Sequence, residues 1–413
     1  MKESLRKQFK ITFQWLTVCL VIGILVGSIA ALFLVGLTWV TSMRTANFWL
    51  VLSLPIGGLI IGYLYYYLEK GVEGGNNRLI HEMILTKQKI HWKMTPLVLL
   101  GTWLTHLFGG SAGREGTAVQ MGGATADQFS RLFGWGDSQR KIILRMGVAA
   151  GFAGVFGTPF AGIIFAYELA RDRTFNYWGV LPIVLTAIIA DFVCHAWQVE
   201  HTSYVIAEVP VLGISSIGWT LFSGLAFGVT ALVFNYSKKG FGLLFSKTIK
   251  HPAFRPFVGG IVLVGVVFLL DSTRYLGLGV PVIQSAFVEV LSPHDFWIKL
   301  LLTAFTLGAG FKGGEATPLF FMGATLGSAL VWFVPLPVSL LAGLGFIAVF
   351  AGATNTPIAC TVMGVELFGW EALPYFIMVC WVAYFISGRT SVYAVQQEYL
   401  RKLSVVERLR RKR

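Results

Sequence analysis

The apolar stretches of this chain, and their uneven lengths, limit what it can fold into more than any other feature. They cover residues 11–43, 48–68, 178–197, 220–235, 257–270, 338–351 and 373–387. A helix needs about 20 apolar residues to cross a bilayer, and the longer stretches reach that length. Others, such as 220–235 and 338–351, fall short and contain glycines. These read as half-helices or re-entrant segments, which a bilayer tolerates only where protein or water surrounds them. Composition removes the rival of a water-soluble globule. Charged residues are 13% of the 413, against roughly 25% in soluble domains. The 47 glycines suit a membrane bundle, because small residues let helices approach closely. The expectation is an all-α, multi-pass membrane protein with many tilted and broken helices, housed in a lipid bilayer.

The first stretch is far longer than a signal-peptide core and lacks a convincing cleavage site, so it reads as a retained helix. Formal net charge is +13, and much of it sits at the ends. Lys2, Arg6, Lys7 and Lys10 open the chain; Arg401, Lys402, Arg408, Arg410, Arg411, Lys412 and Arg413 close it. Basic clusters can bind nucleic acid. Beside so many apolar stretches they read instead as the positive-inside signal, with both termini cytoplasmic and no nucleic-acid partner. Cys19, Cys194, Cys360 and Cys380 lie in apolar stretches without metal-type spacing, and read as small buried hydrophobes. No metal and no cofactor is implied.

The chain echoes itself. Gly113-Arg114-Glu115-Gly116-Thr117 resembles Gly313-Gly314-Glu315-Ala316-Thr317, and Gly123-Ala124 resembles Gly323-Ala324. Ala153-Gly154, Thr158-Pro159 and Glu168-Leu169 recur as Ala351-Gly352, Thr356-Pro357 and Glu366-Leu367. Two matches at nearly one offset point to a duplicated unit. Its copies run over 12–200 and 214–390, flanked by a cytoplasmic segment 1–11 and by a C-terminal helix and basic tail over 391–413. Duplicated membrane proteins often have inverted halves, with the site between them near the midplane.

Each repeated motif is a Gly-rich turn entering an apolar helix, the local chemistry that presents backbone N–H groups to an anion. An ionisable residue at membrane depth is a functional candidate because its burial is expensive. Glu115 could occupy an anion site when ionised and leave it when protonated; alternatively, Arg114 and Glu115 form an ion pair that holds a turn. Glu315, followed by Thr317 and Pro318, either caps its helix or repeats the role of Glu115. Gly74-Gly75-Asn76-Asn77 is either a plain N-cap or a half-helix start that aims donors at an anion. Tyr393 is either an interfacial anchor or an anion donor. Glu168, Glu366, Asp191 and Asp271 read as structural pairs or interfacial residues.

On these residues the chain resembles the CLC family of chloride channels and proton-coupled anion antiporters. Gly113-Arg114-Glu115-Gly116 is similar to the family's GREGP signature, which bears its gating glutamate. The run 313–318 stands where chloride-type members have GGxFxP. The segment from Thr158-Pro159-Phe160-Ala161-Gly162-Ile163 to Glu168 is similar to the conserved helix that follows the gating motif. Tyr393 falls at the family's anion-coordinating tyrosine. The departures are specific. The GSGIP serine has no counterpart in Gly74-Gly75-Asn76-Asn77, its place falling on Asn76 or, in the alternative register, on Gly75. The GREGP proline is Thr117, and the GGxFxP phenylalanine is Ala316 behind Glu315. An internal proton-accepting glutamate has no clear counterpart.

These departures are similar to the fluoride-exporting branch, with Asn or Met in the first motif, GREGT in the second and GGExTP in the third. The resemblance implies a homodimer of two inverted repeats in a bacterial plasma membrane, exchanging fluoride for protons. It puts the gating and proton roles on Glu115, Glu315 and Thr317, and anion binding on Gly75, Asn76, Glu115 and Tyr393. Fluoride is strongly hydrated, and stripping its water is costly unless donors replace it. An Asn amide and Tyr and Thr hydroxyls are such donors. A second ionised carboxyl would repel the anion, so Glu315 is expected to be protonated when an anion is near. The rival on the same scaffold is a chloride-selective transporter or passive channel. An embedded hydrolase is disfavoured, since no HExxH occurs and His81-Glu82 lacks a partner histidine at the required spacing.

Overall fold

The computed structural model of the protein describes residues 2–68, 72, 74–130, 132–170 and 177–399. The first half contributes α1 (Lys2–Ala46), α2 (Leu54–Leu68), α3 (Asn76–Leu85), α4 (Met94–Leu107), α5 (Glu115–Asp127), α6 (Asp137–Phe156), α7 (Pro159–Leu169) and α8 (Val180–Ala196). The second contributes α9 (Ile214–Thr248), α10 (Arg255–Leu270), α11 (Val280–Ala286), α12 (Asp295–Gly308), α13 (Ala316–Leu330), α14 (Val338–Thr354), α15 (Pro357–Phe368) and α16 (Leu373–Ile386), and α17 (Ala394–Tyr399) follows. Among the described residues the fold is helices and turns, with one isolated β-bridge, Gly113 to Gly314.

Packing repeats as the sequence does. The long α1 lies against α4, α5, α6 and α8, while the long α9 lies against α12, α13, α14 and α16. Small residues permit the closest approach in each half. A Cβ at Gly122 of α5 would stand 2.1 Å from the carbonyl oxygen of Gly147 in α6, and one at Gly345 of α14 would stand 2.0 Å from that of Gly323 in α13. Between the halves, α2 meets α10 and α7 meets α15, each element touching its own counterpart as a two-fold relation requires. Pro55 lies against Gly260, and Gly58 against Pro256. Numbering therefore rises along α2 as it falls along α10. The equivalent helices are antiparallel, which is the arrangement of inverted repeats.

Helix lengths separate lipid-facing from internal elements. Among the described residues, five stretches are long and apolar enough to span a membrane: Gln8–Ala46, Phe48–Leu68, Tyr177–Ala196, Ile214–Thr248 and Pro252–Leu270. Their outer faces expose Leu32, Trp39, Phe192, Leu221 and Ile261. The stretch 338–351, read as too short to span, forms α14, which is buried from Ser339 to Thr354. Such a helix, apolar all round, belongs in the interior. The reading of 220–235 as a short piece is corrected: it lies inside the 35 residues of α9. At about 1.5 Å per residue that helix runs about 50 Å. Its continuation is hidden in the sequence by Lys238, Lys239 and Gly240. Residues 2–11 form the first turns of α1. The basic residues 401–413 lie outside the described residues.

Candidate functional site

Two Gly-rich turns, one from each half, meet at the centre of the molecule. Gly113 N–H donates to the Gly314 carbonyl at 2.6 Å, and Gly314 N–H donates back at 2.7 Å. Only glycine fits here, because a Cβ at Gly314 would stand 2.6 Å from the Gly116 nitrogen. Each turn is closed by the same local bond. Gly110 N–H reaches the Thr105 carbonyl at 2.8 Å, and Phe311 N–H reaches that of Thr306 at 3.3 Å. The turns deliver the N-termini of α5 and α13 to one place, with the partial positive charge that unpaired N–H groups carry.

Glu115 crosses between the halves. Its carboxylate, 2% exposed, accepts from Thr317 N–H at 2.9 Å, from the Thr317 hydroxyl and from Arg114 N–H at 3.1 Å. Arg114 Nε stands 3.6 Å from the other oxygen. The pair with Arg114 exists, but the stronger hold is the end of α13, where a free anion would find the same donors.

Glu315 is wired differently. It makes no capping bond to its own helix. One oxygen pairs with Lys238 Nζ at 2.5 Å, and that ammonium also donates to the Val392 carbonyl at 3.2 Å. The other oxygen is buried without a partner. It faces the gap above Gly116, where an added Cβ would lie 3.3 Å from it and 3.0 Å from Asn76 Nδ2. The repulsion expected of a second carboxyl is thus offset by a lysine.

The remaining expected residues close around this gap. Gly74 and Gly75 have φ of +91° and +50°, a left-handed turn that favours glycine and lets α3 begin at Asn76. Asn76 makes no capping bond, and its Oδ1 is buried without a partner. Asn77 instead accepts from Val395 N–H at 3.2 Å, tying α3 to α17. Tyr393 is 5% exposed, so it is no lipid-facing anchor. Gly75, Asn76, Lys238, Glu315 and Tyr393 share one cavity of about 250 Å³, with Thr117 on its wall. Glu115 and Thr317 are not on that wall; they sit at the Gly113–Gly314 bridge. A larger cavity of about 680 Å³ shares Tyr65 and Lys312 with the first and adds Arg255. Lys312 and Arg255 make its wall basic.

Sequence reasoning missed Lys238, Lys312 and the hydroxyl pair Thr102–Thr117 at 2.7 Å. The signal for Lys238 was available, since a lysine within a long apolar helix is a functional candidate by default. Glu168 and Glu366 lie apart from the site. Glu366 accepts from Phe160 and Ala161 N–H at 2.9 and 2.7 Å, at the start of α7. Glu168 accepts from Ala359 N–H at 2.7 Å, at the start of α15. On the Arg114 side lies His201, whose rings stack on His195 at 5.0 Å. Burial, then the Arg114 charge, pushes the His201 imidazole down to about 4.

A family model described as voltage gated chloride channel matches residues 57–388. The chain belongs to this family. Its relatives include a "Chloride/fluoride channel protein" of Pseudomonas syringae pv. tomato, 43% identical over 390 residues, which are 93% of this chain and 86% of that protein. Among solved structures, a CLC-type fluoride/proton antiporter superposes with a TM-score of 0.90 at 36% identity, covering 94% of this chain and 98% of the other. A slow cyanobacterial Cl⁻/H⁺ antiporter shares the fold, with a TM-score of 0.80 at 19% identity over 93% and 97% of the two chains. These likenesses carry the CLC architecture of this family across nearly the whole molecule.

Proposed function

We propose that this protein is a fluoride/proton antiporter that exports fluoride across a bacterial plasma membrane, as a homodimer with both termini in the cytoplasm. The structural neighbour bearing that activity supports the reading. So does the motif pattern GREGT with GGExTP. The observation that carries it is the crossed seat of Glu115: a carboxylate held by backbone and hydroxyl donors at the N-terminus of α13. When ionised it fills the seat of an anion. When it takes a proton, those donors serve fluoride instead. Carboxylate and anion thus exclude each other at one place, and a proton on Glu115 decides between them, which couples anion occupancy to protonation.

Asn76 and Tyr393, with the Gly75 turn, hold the anion in the cavity, and Thr317 is the donor shared by Glu115 and an arriving anion. Glu315 completes the inner route. Two units over 12–200 and 214–390, with 1–11 and 391–413 as flanking segments, bound this machinery. Fluoride efflux from loaded proteoliposomes, read in parallel with fluoride- and chloride-selective electrodes, tests the substrate. Fluoride is expected to leave well ahead of chloride. Chloride leaving as fast contradicts the reading and favours the chloride-selective transporter or passive channel.

A further inference from the structure

We infer that Lys238 is the counter-charge of Glu315 and the positioning residue that makes one proton act twice on the inner anion site. The inference rests on the antiport reading above and adds a residue to it. Lys238 is carried by α9, outside both Gly-rich turns. Its half-buried ammonium joins three pieces of the molecule: α9 itself, the Glu315 oxygen 2.5 Å away, and the Val392 carbonyl next to Tyr393, 3.2 Å away. Lys238, Glu315, Asn76 and Tyr393 all line one cavity. The second Glu315 oxygen, buried and unpartnered, is turned toward Asn76 across Gly116.

Two consequences follow from charge alone. The Lys238 ammonium pairs with the carboxylate at hydrogen-bond distance, and an ionised Glu315 repels an anion entering between Asn76 and Tyr393. A proton added to a Glu315 oxygen breaks the ion pair without forming or breaking any other bond. It removes the repelling charge, and it leaves the Lys238 ammonium on the cavity wall as an uncompensated attraction for the anion. Once the anion has moved on toward Glu115, the proton leaves Glu315 to the inner side and the pair re-forms. The other charged or titratable groups facing this cavity are Lys312, from the turn before α13, Tyr65, from α2, and Tyr393. Glu115, from α5, lies across the glycine bridge against Thr317.

The test is fluoride efflux by the full chain in liposomes as a function of internal pH. Lys238→Met is expected to raise the apparent KM for fluoride and to move the pH midpoint of efflux upward by about one unit, the low end of a neighbouring-charge effect. Lys238→Arg keeps the charge and should keep the wild-type midpoint. In a Glu315→Gln background, Lys238→Met should move no midpoint, because the group it acts on is gone. If Lys238→Met does not fold, Lys238→Gln retains a donor for Glu315 and Val392 without the charge and is expected to show the same shift. A midpoint that stays in place in the folded uncharged variant, or a loss equal at every pH, overturns the inference alone. Wild-type vesicles that move fluoride without protons overturn the antiport reading, and the inference with it.

Discussion

The turns around residues 113–117 and 313–317 share a backbone and differ in wiring. Both are closed by the same local bond, and both launch a helix toward the centre. The first acid, Glu115, leaves its own helix and sits on the N-terminus of α13, held by neutral donors. The second, Glu315, does not return the gesture; it turns to a lysine from α9. The acids of the other repeated motif behave oppositely. Glu168 sits on the start of α15 and Glu366 on the start of α7, a reciprocal exchange between the halves. Duplication is preserved where the acids brace the structure and is broken at the two glycine turns beside the cavity. Breaking it gives the two ends of one route different chemistry: a carboxylate that competes for an anion seat, and a carboxylate controlled by a counter-ion.

That difference can be broken by substitution, beginning with the largest effect. Glu115→Gln removes the ionisable occupant of the α13 seat, so proton-coupled turnover should vanish; wild-type exchange from this variant would remove the outer gate. Glu315→Gln leaves the seat of Glu115 intact but discards the ion pair, so fluoride turnover should fall about tenfold, the cost of a single charge-assisted contact of about 1.5 kcal/mol. Equal losses in the two variants would mean that the acids are equivalent after all. Thr317→Val deletes one neutral donor to Glu115 while sparing the N–H, and about 1 kcal/mol is at stake, a few-fold change in turnover with the proton-to-fluoride ratio preserved. The comparison should disappear in the scaffold. Gly122→Ala and Gly345→Ala each force a methyl group onto a backbone carbonyl. Overpacking of this kind costs about 1–3 kcal/mol, so the two melting temperatures should fall by similar amounts. A drop confined to one variant would show that the halves are not equally supported.

Much of this was legible in the sequence because backbone geometry leaves strong marks. The Gly-rich turns, the acids beside them and the near-constant offset exposed the duplicated unit and located Glu115 and Glu315. What could not be read was direction. Spacing put Glu115 at the start of α5, and nothing in the spacing said that its side chain would be received by Thr317 of the other half. The same holds for Glu168 and Glu366, whose partners are about 190 and 205 residues away in sequence. Lys238 escaped notice because it follows the apolar run 220–235 and resembles the basic flank of a span. Only the continuation of α9 past that run brings its ammonium to Glu315. Spacing left Asn76 as either a cap or an anion donor, and only three-dimensional placement puts it on the cavity wall with its carbonyl oxygen buried and unpartnered.

The competition of the Glu115 carboxylate with an anion for one seat, decided by a proton, is tested most directly by recording external pH while fluoride leaves sealed, lightly buffered proteoliposomes down its own gradient. Protons should enter as fluoride departs, so the external medium should turn alkaline in step with the fluoride electrode, and the alkaline drift should be absent from Glu115→Gln vesicles. Fluoride release with a flat pH trace in the wild-type protein would contradict it.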